Sequence, residues 1–147
     1  TTEKIFLYMR SYSRLLSGSD PTCIVNEKVS LDLANLKVAQ SYSYSGGRRV
    51  HYFVEYKLSE ATLPDRAPVM EATGPRGMTR TYFFEYYDPD RKCAVITFSE
   101  STCSLKCELH IWKDMAKNGP SENCKREYGY LCPKRKKYTV FTEGCIP

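Results

Sequence analysis

Beyond Pro21 the chain is a succession of short β-favouring runs, each bounded by turn residues, and this punctuation restricts the fold more than any other feature. The runs are Cys23 to Val25, Leu36 to Tyr44, Arg49 to Leu58, Pro68 to Ala72, Thr79 to Tyr87, Cys93 to Ser99 and Leu105 to Trp112. Ser45-Gly46-Gly47-Arg48 and Asp88-Pro89-Asp90 are strong turn signals between them. Consecutive runs are therefore expected to pair as antiparallel hairpins in a meander of seven or eight strands. Twelve tyrosines agree with this, because aromatic side chains suit a pleated, half-buried surface.

The two ends read differently. Ile5, Phe6, Met9, Tyr12, Leu15 and Leu16 place an apolar stripe on one face of a helix predicted over Glu3 to Ser17, with Thr2 as its cap and Gly18 as its end. Gly119-Pro120-Ser121-Glu122 opens a second short helix toward Leu131, stopped by Cys132-Pro133, and a last strand runs from Tyr138 to Thr142. The 147 residues fit one domain. The expected fold is thus all-β: an eight-stranded antiparallel up-and-down barrel over residues 1–147, with an N-terminal and a C-terminal helix packed outside. Closure removes sheet edges, and eight strands leave an interior that can hold one small ligand.

Charge and cysteine content bound the function. The net charge is +5, and Lys134, Arg135, Lys136 and Lys137 nearly supply it, leaving the rest of the chain close to neutral. Nucleic-acid binding is disfavoured, since it wants basic residues interleaved with exposed aromatics along a recognition element. No stretch of 18 apolar residues exists to span a membrane as a helix. The seven cysteines, Cys23, Cys93, Cys103, Cys107, Cys124, Cys132 and Cys145, form no Cys-x-x-Cys pair, and the two histidines, His51 and His110, lie far apart in sequence. A metal site is therefore disfavoured against structural disulfides, which imply an oxidising compartment and a secreted protein. The chain begins at Thr1 without an initiator Met, as a processed mature form would. No Gly-x-Ser-x-Gly elbow and no phosphate-cradling glycine loop is present, so no enzyme activity and no cofactor is expected.

Strand alternation selects the candidate lining of the barrel. Val50, Tyr52, Val54, Tyr56 and Leu58 form the more apolar face of their run; Tyr82, Phe84 and Tyr86 are the inner set of theirs, with Glu85 outside. Ala94, Ile96 and Phe98 share a face opposite Cys93, Val95 and Thr97. Glu108, His110 and Trp112 oppose Cys107, Leu109 and Ile111. Hydrophobicity alone would turn Leu109 and Ile111 inward, unless the C-terminal helix covers the outer wall. With that cover, Cys93 and Cys107 face outward and can meet Cys124 and Cys132 on the helix, while Cys23 and Cys145 staple the two ends and Cys103 is left over. Six cysteines by themselves allow 15 connectivities.

The pattern Cys93-Ala94-Val95, twelve residues, Glu108-Leu109-His110, thirteen residues, then Cys124, resembles the signature of tick salivary lipocalins, with Tyr86-Tyr87-Asp88, Cys23 and Cys145 also in place. The resemblance implies a barrel that scavenges small host mediators or modulates host immunity. Amine-binding members carry Asp after the first cysteine and an aromatic after Glu-Leu; here those positions are Ala94 and His110. A buried ammonium needs opposing carboxylates, so losing one suits the pocket to a neutral, apolar guest with one polar handle. Among the family's branches this is most similar to the Japanin-like one, which implies a sterol such as cholesterol. The expected contacts are Tyr52, Val54, Tyr56, Tyr82, Phe84, Tyr86, Ala94, Ile96, Phe98, Glu108, His110 and Trp112. Two rival readings are an amine scavenger using Glu108 with Asp32 or Glu85, and a monomeric scaffold binding a host immune-cell protein through Thr62 to Ala67 or Lys134 to Lys137.

Overall fold

The computed structural model describes residues 3–13, 20–44, 48–59, 68–77, 79–99 and 105–146. Eight strands form the wall: β1 (Lys4–Arg10), β2 (Thr22–Asp32), β3 (Asn35–Tyr44), β4 (Arg48–Ser59), β5 (Val69–Thr73), β6 (Thr79–Asp88), β7 (Cys93–Ser99) and β8 (Leu105–Trp112). Each pairs antiparallel with its sequence neighbours. β1 closes the barrel by pairing along one edge with β8 and along the other, over Lys4 to Phe6, with β2. A two-residue strand, β9 (Tyr138–Thr139), continues that second edge beside Met9 and Arg10. Closure leaves none of the eight strands wholly unpaired on one side, although among the described residues Lys28 to Asp32 of β2 and Arg48 to Val54 of β4 pair along one edge only.

The expected N-terminal helix is a strand instead, and it is the one that closes the barrel. The apolar spacing was compatible with a helical stripe, but the tertiary structure buries both faces of the segment. Leu7 faces the interior, whereas Phe6 and Met9 join a core on the outer side. A segment buried on both faces reads as a continuous apolar run, which periodicity alone does not assign. The predicted strand Cys23 to Val25 extends to Asp32, and the final strand is confined to Tyr138 and Thr139. The Ser45-Gly46-Gly47 turn, Leu15, Leu16 and Cys103 lie outside the described residues.

The C-terminal helix α1 (Glu122–Leu131) lies on the outer faces of β6, β7 and β8. Its start is fixed locally. The Ser121 hydroxyl accepts from Cys124 N at 3.1 Å and donates to Asp88 Oδ2 at 2.7 Å, so one N-cap ties the helix to the β6–β7 turn. Asp88 Oδ1 also accepts from the Asp90 and Arg91 amides, which builds the turn read from Asp88-Pro89-Asp90.

Under α1, Cys93, Val95, Cys107, Leu109 and Ile111 are fully buried on the outward face, packed with Tyr128, Ala116 and Phe141. Each fully buried aliphatic side chain there contributes about 1.5–3 kcal/mol. Disulfides Cys93–Cys124 and Cys107–Cys132 pin the helix to that wall, and Cys23–Cys145 joins β2 to the C-terminal segment. The three bridges realise the pairing that an outward phase for Cys93 and Cys107 permits. Asp88 stands beside Cys93 and Cys124, but both sulfurs are consumed in their bridge and offer no thiolate to a metal.

Candidate functional site

The interior is hollow. A cavity of about 990 Å³ is enclosed by residues from all eight strands, reaching the end of the barrel where Tyr12, Pro21 and Pro75 lie in the connections. Cross-strand register stacks the lining in rows. Arg10, Glu108 and Ile96 are adjacent on β1, β8 and β7; Leu7, His110 and Ala94 form the next row, and Ile5 and Trp112 the one beyond.

Two bulges set which side chains enter. In β1 the register slips at Tyr8, so Leu7 opposes His110 while Met9 opposes Leu109 and Arg10 opposes Glu108. Strict alternation after Leu7 would send Arg10 outward; the extra residue returns it to the interior. In β6 the slip falls at Glu85, so Phe84 opposes Ile96 inside, whereas Tyr86 opposes Val95 and packs in the outer core. Tyr86 is thereby corrected from lining to outer wall.

Of the other expected contacts, Tyr52, Tyr56, Tyr82, Phe84, Ala94, Ile96, Glu108, His110 and Trp112 line the cavity. Val54 is buried opposite Val38 but lies outside the lining. Phe98 sits behind it, fully buried, with edge contacts to the Tyr12 and Tyr82 rings at 5.3 and 5.2 Å and the Arg80 guanidinium 4.2 Å above its ring. Its role is to support lining residues. Reading the first segment as a helix hid Ile5, Leu7, Arg10 and Tyr12. Arg80 was legible, because it shares a face with Tyr82 and Phe84 by simple alternation.

Glu108 is the one carboxylate among the described lining residues, and both its oxygens are engaged. Oε1 lies 2.9 Å from His110 Nε2, and the Tyr12 hydroxyl donates to Oε2. Burial pushes the Glu108 pKa up, but the His110 hydrogen bond and charge, the Tyr12 hydroxyl and the nearby Arg10 guanidinium outweigh it and hold the carboxyl below its ordinary value. Arg10, itself buried, is paired with Asp20 at 2.7 Å. A folded pKa below the unfolded one means that the unfolded chain binds the proton more readily. Glu108 therefore contributes stability that is complete above an unfolded pKa of about 4.3 and is lost as pH falls through the lower folded value. Urea midpoints measured from neutral to acid pH should fall more steeply for the wild type than for Glu108→Gln; parallel curves would contradict this.

The opposite wall is polar but uncharged. The Tyr52 hydroxyl donates to Gln40 Oε1, and Gln40 Nε2 donates to Asn26 Oδ1 at 2.7 Å. Between the two walls stands Tyr56, whose hydroxyl has no hydrogen-bond partner among the described residues. Burial, then Tyr82, Glu108 and Tyr52, push its pKa far above the ordinary tyrosine value, so it remains a neutral donor and acceptor at any physiological pH.

A family model described as "Tick histamine binding protein" matches residues 1–147. The chain belongs to the tick histamine-binding protein family. Solved structures agree on the fold. Japanin from Rhipicephalus appendiculatus bound to cholesterol is 13% identical, with TM-score 0.68 over 99% of this chain and 96% of that one. The AM182 serotonin complex is also 13% identical, with TM-score 0.66 over 98% and 85%. H1 crustacyanin from the lobster Homarus americanus is 11% identical, with TM-score 0.61 over 99% and 79%. No curated protein sequence matches the chain. As a histamine-binding-family lipocalin the protein is a ligand-binding barrel, and among its described residues no helix is long and apolar enough to cross a membrane.

Proposed function

We propose that this lipocalin is a secreted, monomeric carrier that holds a neutral, largely apolar molecule of the sterol kind and modulates host immunity at a tick feeding site. The observation that supports a neutral guest is the state of Glu108. An ammonium entering the barrel would need a carboxylate whose charge is not already countered, and this one is bound by His110 and Tyr12 and faces Arg10. Arg80, also in the lining, adds a second cation that disfavours another. The cavity volume lies at the upper end of small-ligand pockets, far more than a small amine fills.

Trp112, Phe84, Ile96, Leu36 and Met70 offer apolar walls for rings and tail, and Tyr56 offers one hydroxyl for a single polar handle. Ala94, opposite His110, leaves room where a carboxylate would otherwise stand. The serotonin-bound relative and the presence of Glu108 favour the amine reading as the rival. For the host-protein reading, Thr62 to Ala67 lie outside the described residues, so only the basic run is open to structural argument.

The single tryptophan lines the cavity, so its energy transfer to a fluorescent sterol reports occupancy directly. Cholesterol is expected to displace that probe while histamine and serotonin at equal concentration do not. Tyr56→Phe should weaken sterol binding by about two- to tenfold, the worth of one hydrogen bond. Tight uptake of histamine with none of cholesterol would sink the proposal.

A further inference from the structure

Lys134, Arg135, Lys136 and Lys137 carry four of the five net positive charges of the whole chain. The fold anchors the run at both ends and leaves its lysines in the open. Cys132, just before the run, is tied to Cys107; Tyr138 and Thr139, just after it, pair with β1; Val140 and Phe141 are buried beyond. Within the run Arg135 Nη1 donates to the Leu105 carbonyl at 2.8 Å, and Lys134 takes a left-handed φ of 58° as the chain leaves α1. Lys134, Lys136 and Lys137 are exposed, and none forms an ion pair among the described residues.

Holding like charges adjacent works against the folded state, since an unfolded chain can spread them. The preceding helix adds exposed residues of its own. Arg126 and Tyr130, four residues apart on one face of α1, are exposed, Tyr130 to 80%. The acid at the start of the helix, Glu122, is already paired with Lys125. A strap whose backbone is fixed at both ends loses little conformational freedom when a ligand binds along it.

We infer that the 134–137 strap is a docking site for a linear sulfated polysaccharide. Three disulfides mark an oxidising, extracellular setting, where anionic lipid is scarce because it lies on the cytoplasmic leaflet. The strap also lacks the apolar face that interfacial insertion needs and the row of exposed aromatics on which bases stack. This site lies outside the barrel and does not depend on what the cavity holds.

The test uses the full chain with a heparin-derived oligosaccharide as probe. The wild type is expected to bind it at about 0.15 M salt. Lys134→Ala/Lys136→Ala/Lys137→Ala should weaken binding by about tenfold or more and lower the salt slope by about 2, while Arg135 keeps its structural bond. Lys28→Ala/Lys57→Ala/Lys113→Ala removes the same charge from exposed positions elsewhere and should change binding by less than about twofold. Far-ultraviolet circular dichroism and the urea midpoint serve as the folding controls for both variants. Absence of binding by the wild type, equal losses in the two triple variants, or capture by phosphatidylserine vesicles in place of heparin would each overturn the inference.

Discussion

Replacing Cys23 and Cys145 together by serine is expected to lower the unfolding free energy by about 4–5 kcal/mol, the largest loss from any single bridge. The two residues are 122 apart in sequence, against 31 and 25 for the other pairs, so this bridge removes the most freedom from the unfolded chain. The other two bridges, which span only the last third, shorten the effective loop slightly. Both half-cystines are only half-buried, so the loss reports loop closure more than packing. The bridge also stands beside the hydrogen bond from Cys23 N to the Val140 carbonyl, at 2.9 Å, which seats the C-terminal segment against β2. Urea denaturation at equal m-values measures the effect. A loss under about 1 kcal/mol would show that the unfolded state is already compact without this link.

Glu108→Ala is expected to cost about 3–5 kcal/mol, because it leaves His110 buried without its carboxylate and takes from Tyr12 the acceptor of one hydrogen bond. Glu108→Gln retains an acceptor for Tyr12 and should cost clearly less. Replacing the pair as Glu108→Leu/His110→Phe should recover part of the loss, since two desolvated polar groups leave together. A double-mutant cycle separates these terms. If Glu108→Ala and Glu108→Gln destabilise equally, the retained acceptor contributes nothing beyond the lost charge; if Glu108→Gln costs nothing, the electrostatic account of the site fails. If Glu108→Ala is neutral and leaves any response to histamine unchanged, the carboxylate has neither the structural nor the amine-binding role.

The two variants also bear on the ligand. In the neutral-guest reading Glu108 organises the wall, and its loss changes sterol affinity only through the geometry of Tyr12 and His110. In the amine reading its loss abolishes binding. Ala94→Asp is the converse probe, because it places a second carboxylate against His110 in the row next to Glu108.

Much of the fold was legible because strands announce themselves by short runs and turn residues. Cys93 to Ser99 and Leu105 to Trp112 are strands over the predicted spans, and the helix stopped by Cys132-Pro133 ends at Leu131. Alternation placed Ala94, Ile96, Glu108, His110 and Trp112 on the faces that line the cavity, since no bulge interrupts the β7–β8 pairing. It failed for Tyr86, because a single extra residue at Glu85 reverses the phase and nothing in the local composition marks it. Phe98 follows the inward phase yet lies behind the Tyr82 and Tyr12 rings, a matter of depth that a period of two cannot express.

The amino-acid order alone carried the turn punctuation of the strands beyond Pro21 and the family signature, because these depend on residue types at fixed spacings. Only the assembled barrel decided that residues 4–10 are its closing strand and that Arg10 and Tyr12 meet Glu108 from a hundred residues away. The reason is that burial on two faces, bulge position and charge pairing are properties of what surrounds a segment, and those surroundings exist only after the sheet has closed.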